Sequence, residues 1–377
     1  MSEPGNRIFN ILHVVSRLPV GGVENMLLKV VRGYDKKRFN VSVCCIKEGG
    51  DIADELIRSG HKVDVLNKMK RRGFDWSAVY ALYKLLKRDN IHVLRTHQYH
   101  ANLYGRLAGI LAGVPVMVPS FHSSYKSPDE PKIHRRCLNR LLAFFSDKLV
   151  AVSNTVASDI MRYDGVSSEK IKVNYNGIVM DKFNQDMPKQ EAGRRMNIPV
   201  HSLIVGTTGR LKEEKGHKIL LSAVSGLKDI SIAIAGDGPL RAELRGLADR
   251  LQVDCTFTGQ LSPEKIPLFL NSLDIFCFPS LWEGFPTALI EAMAAGLPVV
   301  ASDIPSNREV LADTGIFVPR GDEEALAKTI KMLIDDPSLR NELGGKARER
   351  SKSFSIGNTV KTYEDLFGDI LKKKRLM

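Results

Sequence analysis

Short apolar runs, many of them β-branched, alternate with longer amphipathic runs along nearly the whole chain, and this rhythm is played twice. Residues 8–15, 41–46, 63–66, 93–96, 116–120 and 148–152 read as strands. Residues 23–34, 76–88, 102–111 and 133–144 read as helices between them, and Ser153 reads as the N-cap of another helix running to about residue 161. Such alternation specifies a parallel sheet wrapped by helices. Residues 177–190 break the pattern and read as a crossing between domains. The pattern then resumes, with strands expected at 203–208, 230–235, 256–258, 275–278 and 299–301 and helices following each. At 377 residues the chain is too long for one ordinary core. The expectation is an α/β protein of two doubly wound domains, 1–180 and 190–355, facing across a cleft at the carboxyl ends of their strands. A final amphipathic segment follows at 356–371.

Chemistry concentrates in Glu283-Gly-Phe-Pro-Thr-Ala-Leu-Ile-Glu291, two glutamates eight positions apart on either side of an expected helix start. Pro286 suits the first helical turn, where its missing N–H is no loss, and the free amides around a helix start attract anions. Glu283 would lie in the loop at that positive end and Glu291 more than a turn inside. Apolar or small neighbours surround Glu291, namely Ala288, Leu289, Ala292, Met293 and Ala295, so its carboxylate is expected to have a dedicated partner. Two carboxylates able to hold hydroxyls, beside a phosphate-sized hole, point to a nucleotide sugar.

This stretch resembles the Glu-x7-Glu motif of retaining glycosyltransferases of the GT-B fold, in particular family 4. Four further features follow in that family's order: Gly-Gly-Val-Glu at 21–24, His122 after an apolar run, Gly-Arg-x4-Lys-Gly at 209–216, and Gly-Asp-Gly-Pro at 236–239. The resemblance implies two Rossmann-like domains, the second holding the nucleotide-sugar donor and the first the acceptor. It also implies that the last helix, about 356–377, returns to the first domain. By the same resemblance Glu291 looks like the group that binds the ribose hydroxyls, and Glu283 like the one that holds the sugar near its third hydroxyl. Gly284, Phe285, Pro286 and Thr287 would line the donor between them. His122 resembles an active-site histidine lying against the donor sugar, Gly22 a close contact to phosphate or acceptor, and Gly236 and Gly238 a loop near the nucleotide.

Breaking a nucleotide-sugar bond builds negative charge on the departing diphosphate, so a catalyst without a metal needs fixed cations there. The chain has no Asp-x-Asp, the carboxylate pair that holds a divalent ion in the metal-dependent GT-A arrangement. It does have Arg210 and Lys215 on one expected strand-to-helix loop. Arg210 could grip two phosphate oxygens and Lys215 supply a mobile point charge. His97 and His100 are spaced three apart, but no carboxylate or Cys accompanies them, so neither a metal nor another cofactor is expected. The mechanism implied is front-face transfer, in which the acceptor hydroxyl attacks on the side the diphosphate leaves and no enzyme nucleophile is required. Closure of the cleft through 177–190 would exclude water.

The formal net charge of +12 lies wholly in the first half, with 28 Lys and Arg against 16 Asp and Glu in residues 1–180 and 27 against 27 thereafter. Clusters at Lys36-Lys37-Arg38, Lys68-Met-Lys70-Arg71-Arg72 and Lys132-Ile-His-Arg135-Arg136 suit anionic lipid headgroups or a lipid diphosphate acceptor, or form a solvated basic face. They lack interleaved aromatics, so nucleic acid is not expected. The five cysteines show no metal-like spacing, and four fall in apolar runs, as reduced core residues of a cytoplasmic protein would. Neither a signal peptide nor a membrane span is evident, so any membrane contact would be peripheral. Two other readings remain: a GT-B sugar phosphorylase or epimerase, and a catalytically inactive protein that binds a glycan or lipid.

Overall fold

A computed structural model describes residues 7–19, 21–69, 73–125, 133–183 and 187–377. The chain divides into two compact units, Met1–Gly177 with Ile356–Met377, and Ile178–Ser355. Lys70, Arg71, Arg72 and Lys132, from the basic clusters, lie outside the described residues.

Unit 1 begins β1 (Phe9–Val15), α1 (Gly22–Gly33), β2 (Phe39–Cys45), α2 (Asp51–Arg58), β3 (Lys62–Val65) and α3 (Trp76–Arg88). It continues through β4 (Val93–His97), α4 (Gln98–Ala112), β5 (Val116–Phe121), α5 (Ile133–Phe144), β6 (Leu149–Ala151), α6 (Asn154–Asp164) and β7 (Ile171–Val173). The seven strands are parallel in the order β3-β2-β1-β4-β5-β6-β7. Alternate residues of β1, β4 and β5 therefore face opposite layers. Leu12, Val14, Leu94 and Met117 pack beneath α3 and α4, whereas Ile11, Val93 and Val118 pack with Met26 and Val30 of α1. Tyr363, Leu366 and Phe367 of the last helix close that second layer.

Unit 2 begins α7 (Lys189–Met196), β8 (Leu203–Thr208), α8 (His217–Val224), β9 (Ile230–Ala235), α9 (Arg241–Arg250), β10 (Cys255–Gly259) and α10 (Ile266–Asn271). Then come β11 (Ile275–Phe278), α11 (Thr287–Ala294), β12 (Val299–Ser302), α12 (Pro305–Leu311), β13 (Ile316–Val318), α13 (Glu323–Asp335) and α14 (Pro337–Ser351). Its six parallel strands run β10-β9-β8-β11-β12-β13. The final helix α15 (Ile356–Lys373) belongs to unit 1, where Phe367 stacks near Tyr34 at 6.3 Å between ring centroids.

Most expected elements form within a residue or two of their expected bounds, and Ser153 does cap α6, accepting from the Val156 amide. Two strands escaped the sequence pattern. β7 and β13 are three residues each at the sheet edges, too short for an alternating signal to stand out. Helix α4 starts at Gln98 rather than near 102, because Gln98 adopts φ +64° and turns the chain sharply out of β4. Pro286 is the cap preceding α11, not a residue of its first turn. Among the cysteines, Cys44, Cys45 and Cys277 are buried as expected, but Cys137 is exposed on α5.

Both sheets reverse their strand order once, between β1 and β4 and between β8 and β11. In open α/β sheets the loops leaving the carboxyl ends at that reversal diverge and leave room for a ligand.

Candidate active site

In unit 2 the reversal explains why residues 68 positions apart touch. β8 and β11 are paired neighbours, so the loops after Thr208 and Phe278 leave the sheet side by side. The first carries Arg210, tightens into a 3-10 turn over Glu213–Lys215 and passes through Gly216 at φ +66° into α8. The second is tied to it by the Leu281 amide donating to Glu214 O at 2.8 Å. Lys215 Nζ then donates to Glu283 Oε1 at 2.5 Å, with the side chains 21% and 11% exposed. The ammonium is also 5.5 Å from the Phe278 ring centroid. Lys215 is thus held in a half-buried ion pair, which corrects the expectation of a mobile point charge. Arg210 is exposed and makes no ion pair among the described residues. One cation is locked and its loop neighbour is open to an anion.

The loop after β9 packs on the same structure through bare backbone. A Cβ at Gly236, which has φ +145°, would lie 1.9 Å from Gly209 O, and one at Gly238 would lie 2.5 Å from Leu211 O. The Gly209 amide donates to Ala235 O and the Leu211 amide to Asp237 O, so the two loops are laced together. Close backbone approach alone therefore requires both glycines. That contact braces the segment carrying Arg210.

At the start of α11, the Thr287 amide donates to Phe285 O and the Leu289 amide to Pro286 O. These two donors point inward, which narrows the set of outward amides that the sequence suggested. Phe285 and Pro286 are buried, while Glu283, Gly284, Thr287 and Glu291 are partly exposed. Phe285 packs 6.1 Å from Phe354. Glu291 lies one turn into the helix, where the sequence placed it.

Unit 1 has its own cavity, of about 460 Å³, at the carboxyl ends of β4 and β5. Val23, Tyr99, His100, His122, Ser124 and Arg135 are among the residues lining it. Gly22 is the first residue of α1, and a Cβ placed on it would meet no atom within 4 Å, so the space above it is open. Val23 beside it lines the same cavity as His122. Arg135 stacks on Tyr99, 3.8 Å from the ring centroid, and its Nε is shielded without a partner among the described residues. At the wall, Asp164 accepts from Tyr125 Oη at 2.8 Å, and burial raises its carboxyl to about 6. His122 is partly exposed as a residue, yet its ring is shielded enough that burial, followed by the Arg95 charge, lowers its pKa to about 3. It is neutral at physiological pH. Burial also lowers His100, which half-faces the cavity.

Two buried residues behind this cavity went unread in the sequence. His13, in the middle of β1, and Arg95, in the middle of β4, are 0% and 1% exposed. The signal was available: each is an ionisable residue inside a strand buried along nearly its whole length, beside Asn10 in β1 and beside Thr96 and His97 in β4. Among the described residues no group of three or more His, Cys, Asp or Glu is placed to hold a metal ion, and no helix is long and apolar enough to cross a membrane.

Residues 20–182 match the family model of Glycosyltransferase Family 4, and residues 188–350 that of Glycosyl transferases group 1. The chain is 26% identical over 383 residues to the UDP-Gal:alpha-D-GlcNAc-diphosphoundecaprenol alpha-1,3-galactosyltransferase of Escherichia coli, covering 97% of this chain and 98% of that protein. It is 29% identical over 322 residues to the putative glycosyltransferase EpsF of Bacillus subtilis (strain 168), covering 78% and 79%. The crystal structure of Anabaena Alr3699/HepE in complex with UDP and glucose superposes with a TM-score of 0.84 at 20% identity, over 95% of this chain and 99% of that one. A glycosyltransferase from Rickettsia africae ESF-5 gives a TM-score of 0.84 at 22% identity, over 97% and 99%. The structural likenesses establish the fold.

Proposed function

Because the chain belongs to the group 1 glycosyltransferases of family 4, with their GT-B fold, we propose that it transfers a sugar, with retention of anomeric configuration, from a UDP-linked donor to a glycan or lipid-linked acceptor. The observation that carries this reading is the Lys215–Glu283 pair beside Arg210, which has no ion pair among the described residues, on loops leaving adjacent strands at the reversal point of unit 2. A bound nucleotide sugar offers that site a diphosphate and sugar hydroxyls. Arg210 grips phosphate oxygens as charge builds on them, and Lys215, fixed by Glu283, adds a second positive centre at no reorientation cost. Glu283 and Glu291 accept hydrogen bonds from donor hydroxyls. The acceptor hydroxyl attacks on the face the diphosphate leaves, and a leaving phosphate oxygen takes its proton. No metal and no enzyme nucleophile takes part in this scheme.

For the donor, the support is that HepE forms complexes with UDP, UDP-glucose, and UDP and glucose. For the acceptor, the support is the name of the Escherichia coli relative, whose substrate is a diphosphoundecaprenol-linked sugar. The polar cavity of unit 1, with His122, three adjacent side-chain hydroxyls at Ser123, Ser124 and Tyr125, and the Arg135 guanidinium, suits the head of such an acceptor. Envelope or exocellular polysaccharide synthesis is the setting this implies, at the cytoplasmic face of the membrane. Helix α5 supports peripheral attachment there. Ile133, Leu141 and Phe144, 68%, 60% and 77% exposed, share its outer face with Arg140, while Arg135 and Asn139 of the opposite face line the cavity.

Nucleotide release measured across a panel of nucleotide sugars tests the reading. Slow hydrolysis of one UDP-linked donor, accelerated by a lipid-diphosphate acceptor, is expected, unaffected by EDTA and reduced at least about a hundredfold by Arg210→Ala. Release from no donor would favour a glycan- or lipid-binding protein, phosphate-dependent breakdown of a glycan would favour a phosphorylase, and loss of activity to EDTA would overturn the metal-free scheme.

A further inference from the structure

Three imidazoles stand in line across the carboxyl ends of the three central strands of unit 1. His13 on β1 is the register partner of Arg95 on β4, so both project from the layer that α1 and α15 cover. His97 lies two residues beyond Arg95 on the same face, opposite Ser120 of β5, and His122 lies two beyond Ser120. His13 Nδ1 is 3.1 Å from His97 Nε2, and His97 Nδ1 is 3.1 Å from His122 Nε2. The line ends at His13 Nε2 and His122 Nδ1, both shielded and without a partner among the described residues. His122 lines the large cavity and also a small one shared with Arg95 and His97. Arg95 is held by Ser120 Oγ at 2.5 Å, by Tyr34 Oη at 3.4 Å and by the Tyr363 face at 3.6 Å, and no carboxylate pairs with it among the described residues.

Burial, and after it the Arg95 charge, lowers the pKa of each of the three rings, so each is neutral and carries one proton. A neutral chain of this kind has only two arrangements: every N–H points toward His13, or every N–H points toward His122. The two differ in what is left at the ends. One leaves an N–H at His13 Nε2, the other a bare lone pair. The Arg95 charge reaches all three rings, but His13 is 0% exposed and is the register partner of Arg95, whereas His122 lines the cavity, where an N–H can find a partner. The lone pair is therefore the favourable choice at the His13 end, because the cation attracts it and repels the N–H dipole. His13 then donates from Nδ1 to His97 Nε2, His97 from Nδ1 to His122 Nε2, and the proton of His122 is left on Nδ1.

We propose that His13 and His97 are positioning residues that fix one tautomer of His122, so that His122 presents Nδ1–H as a permanent donor to an oxygen of the sugar-bearing ligand in the unit 1 cavity. Arg95 sets the direction of the line. The ligand's part in this rests on the glycosyltransferase reading, whereas the tautomer does not. A fixed donor needs no reorientation when charge or a lone pair arrives, which is how preorganised sites lower barriers.

Protein labelled with 15N-histidine, studied by two-bond proton–nitrogen correlation spectra without any substrate, shows which ring nitrogen carries the proton. Wild type should show Nδ1–H at all three rings, and His122 protonated on Nε2 would overturn the proposal. In His13→Asn the side-chain amide can still donate to His97 Nε2, so the tautomer should persist and kcat stay within about threefold. In His13→Leu the line loses its origin. His122 should become a mixture, with kcat down about tenfold if the productive tautomer falls to about a tenth, and the donor KM within about twofold. Equal losses in the two variants with an unchanged His122 spectrum would mean a merely structural role and sink the idea. If His13→Leu does not fold, the wild-type spectrum and the Asn variant still decide. Absence of any transferase activity in the wild type would refute the proposed function and leave the tautomer result intact, so the two failures are distinguishable.

Discussion

Truncating Lys215 to alanine separates what the ion pair does for folding from what the cation does for turnover. Lys215 Nζ and Glu283 Oε1 are 2.5 Å apart with side chains mostly out of water. At an effective dielectric constant of about 20, unit charges about 4 Å apart attract by about 4 kcal/mol, much of which offsets desolvation already incurred. Removing the ammonium leaves a half-buried carboxylate that regains water on its open side, so the net cost is about 2 kcal/mol. For a unit of this size that is a fall in Tm of about 4–8 °C. Turnover should fall at least about a hundredfold, since the departing diphosphate loses a preorganised partner. The informative comparison is Lys215→Ala with Glu283→Ala. With both charges gone, no carboxylate is stranded, and most of the Tm should return with a coupling energy of about 1–2 kcal/mol. Turnover should not return. Thermal unfolding and nucleotide-release assays on the four proteins of this cycle measure both quantities. Strictly additive Tm losses would show that the pair is not coupled in the folded state, and near-normal turnover in Lys215→Ala would remove its role in catalysis.

Gly236→Ala should unfold unit 2 at least about 3 kcal/mol more easily, because its Cβ would sit 1.9 Å from Gly209 O at a φ that side chains rarely adopt; a change in Tm under about 2 °C contradicts this. Vesicles with anionic headgroups should retain the protein at low salt and release it near 1 M salt, where the Debye length is about 3 Å, and Phe144→Glu on the outer face of α5 should weaken retention. Equal binding to neutral vesicles, or no binding, refutes that contact. His13, His97, His122 and His217 all have folded pKa values below their ordinary 6.5, with His217 at about 4 through burial and then Lys215. The unfolded chain therefore binds more protons than the folded one between about pH 6.5 and 4, so this stability is present above pH 6.5 and lost as pH falls through that window. Asp164, raised to about 6, acts in the opposite sense over about pH 4–6 but is one group against four. Denaturant midpoints at about pH 7.5 and about pH 5 check this, and a higher midpoint at the lower pH would contradict it.

Local pattern alone was enough for the fold class and for naming the candidate residues. Strands such as β8 and β11 announce themselves by apolar runs, because most positions of a strand buried on both faces of a parallel sheet are apolar. The pairing of Glu283 and Glu291 across the start of α11 was likewise legible, since eight positions of one segment fix their separation without reference to the rest of the chain. Short edge strands such as β7 carried too few residues to signal, and the steep entry into α4 depended on one left-handed residue, Gln98, that no periodicity reveals.

What the sequence by itself determined, then, was which residues could do phosphate and hydroxyl chemistry and on which kind of element each would sit. What only the tertiary structure decided was which of them meet. Lys215 finds Glu283 because β8 and β11 are neighbours at a reversal of strand order, and His13, His97 and His122 form a line because β1, β4 and β5 lie side by side in one register. Strand adjacency is set by the packing of whole layers over long loops, a cooperative outcome of the burial of the entire chain that no local window of residues encodes.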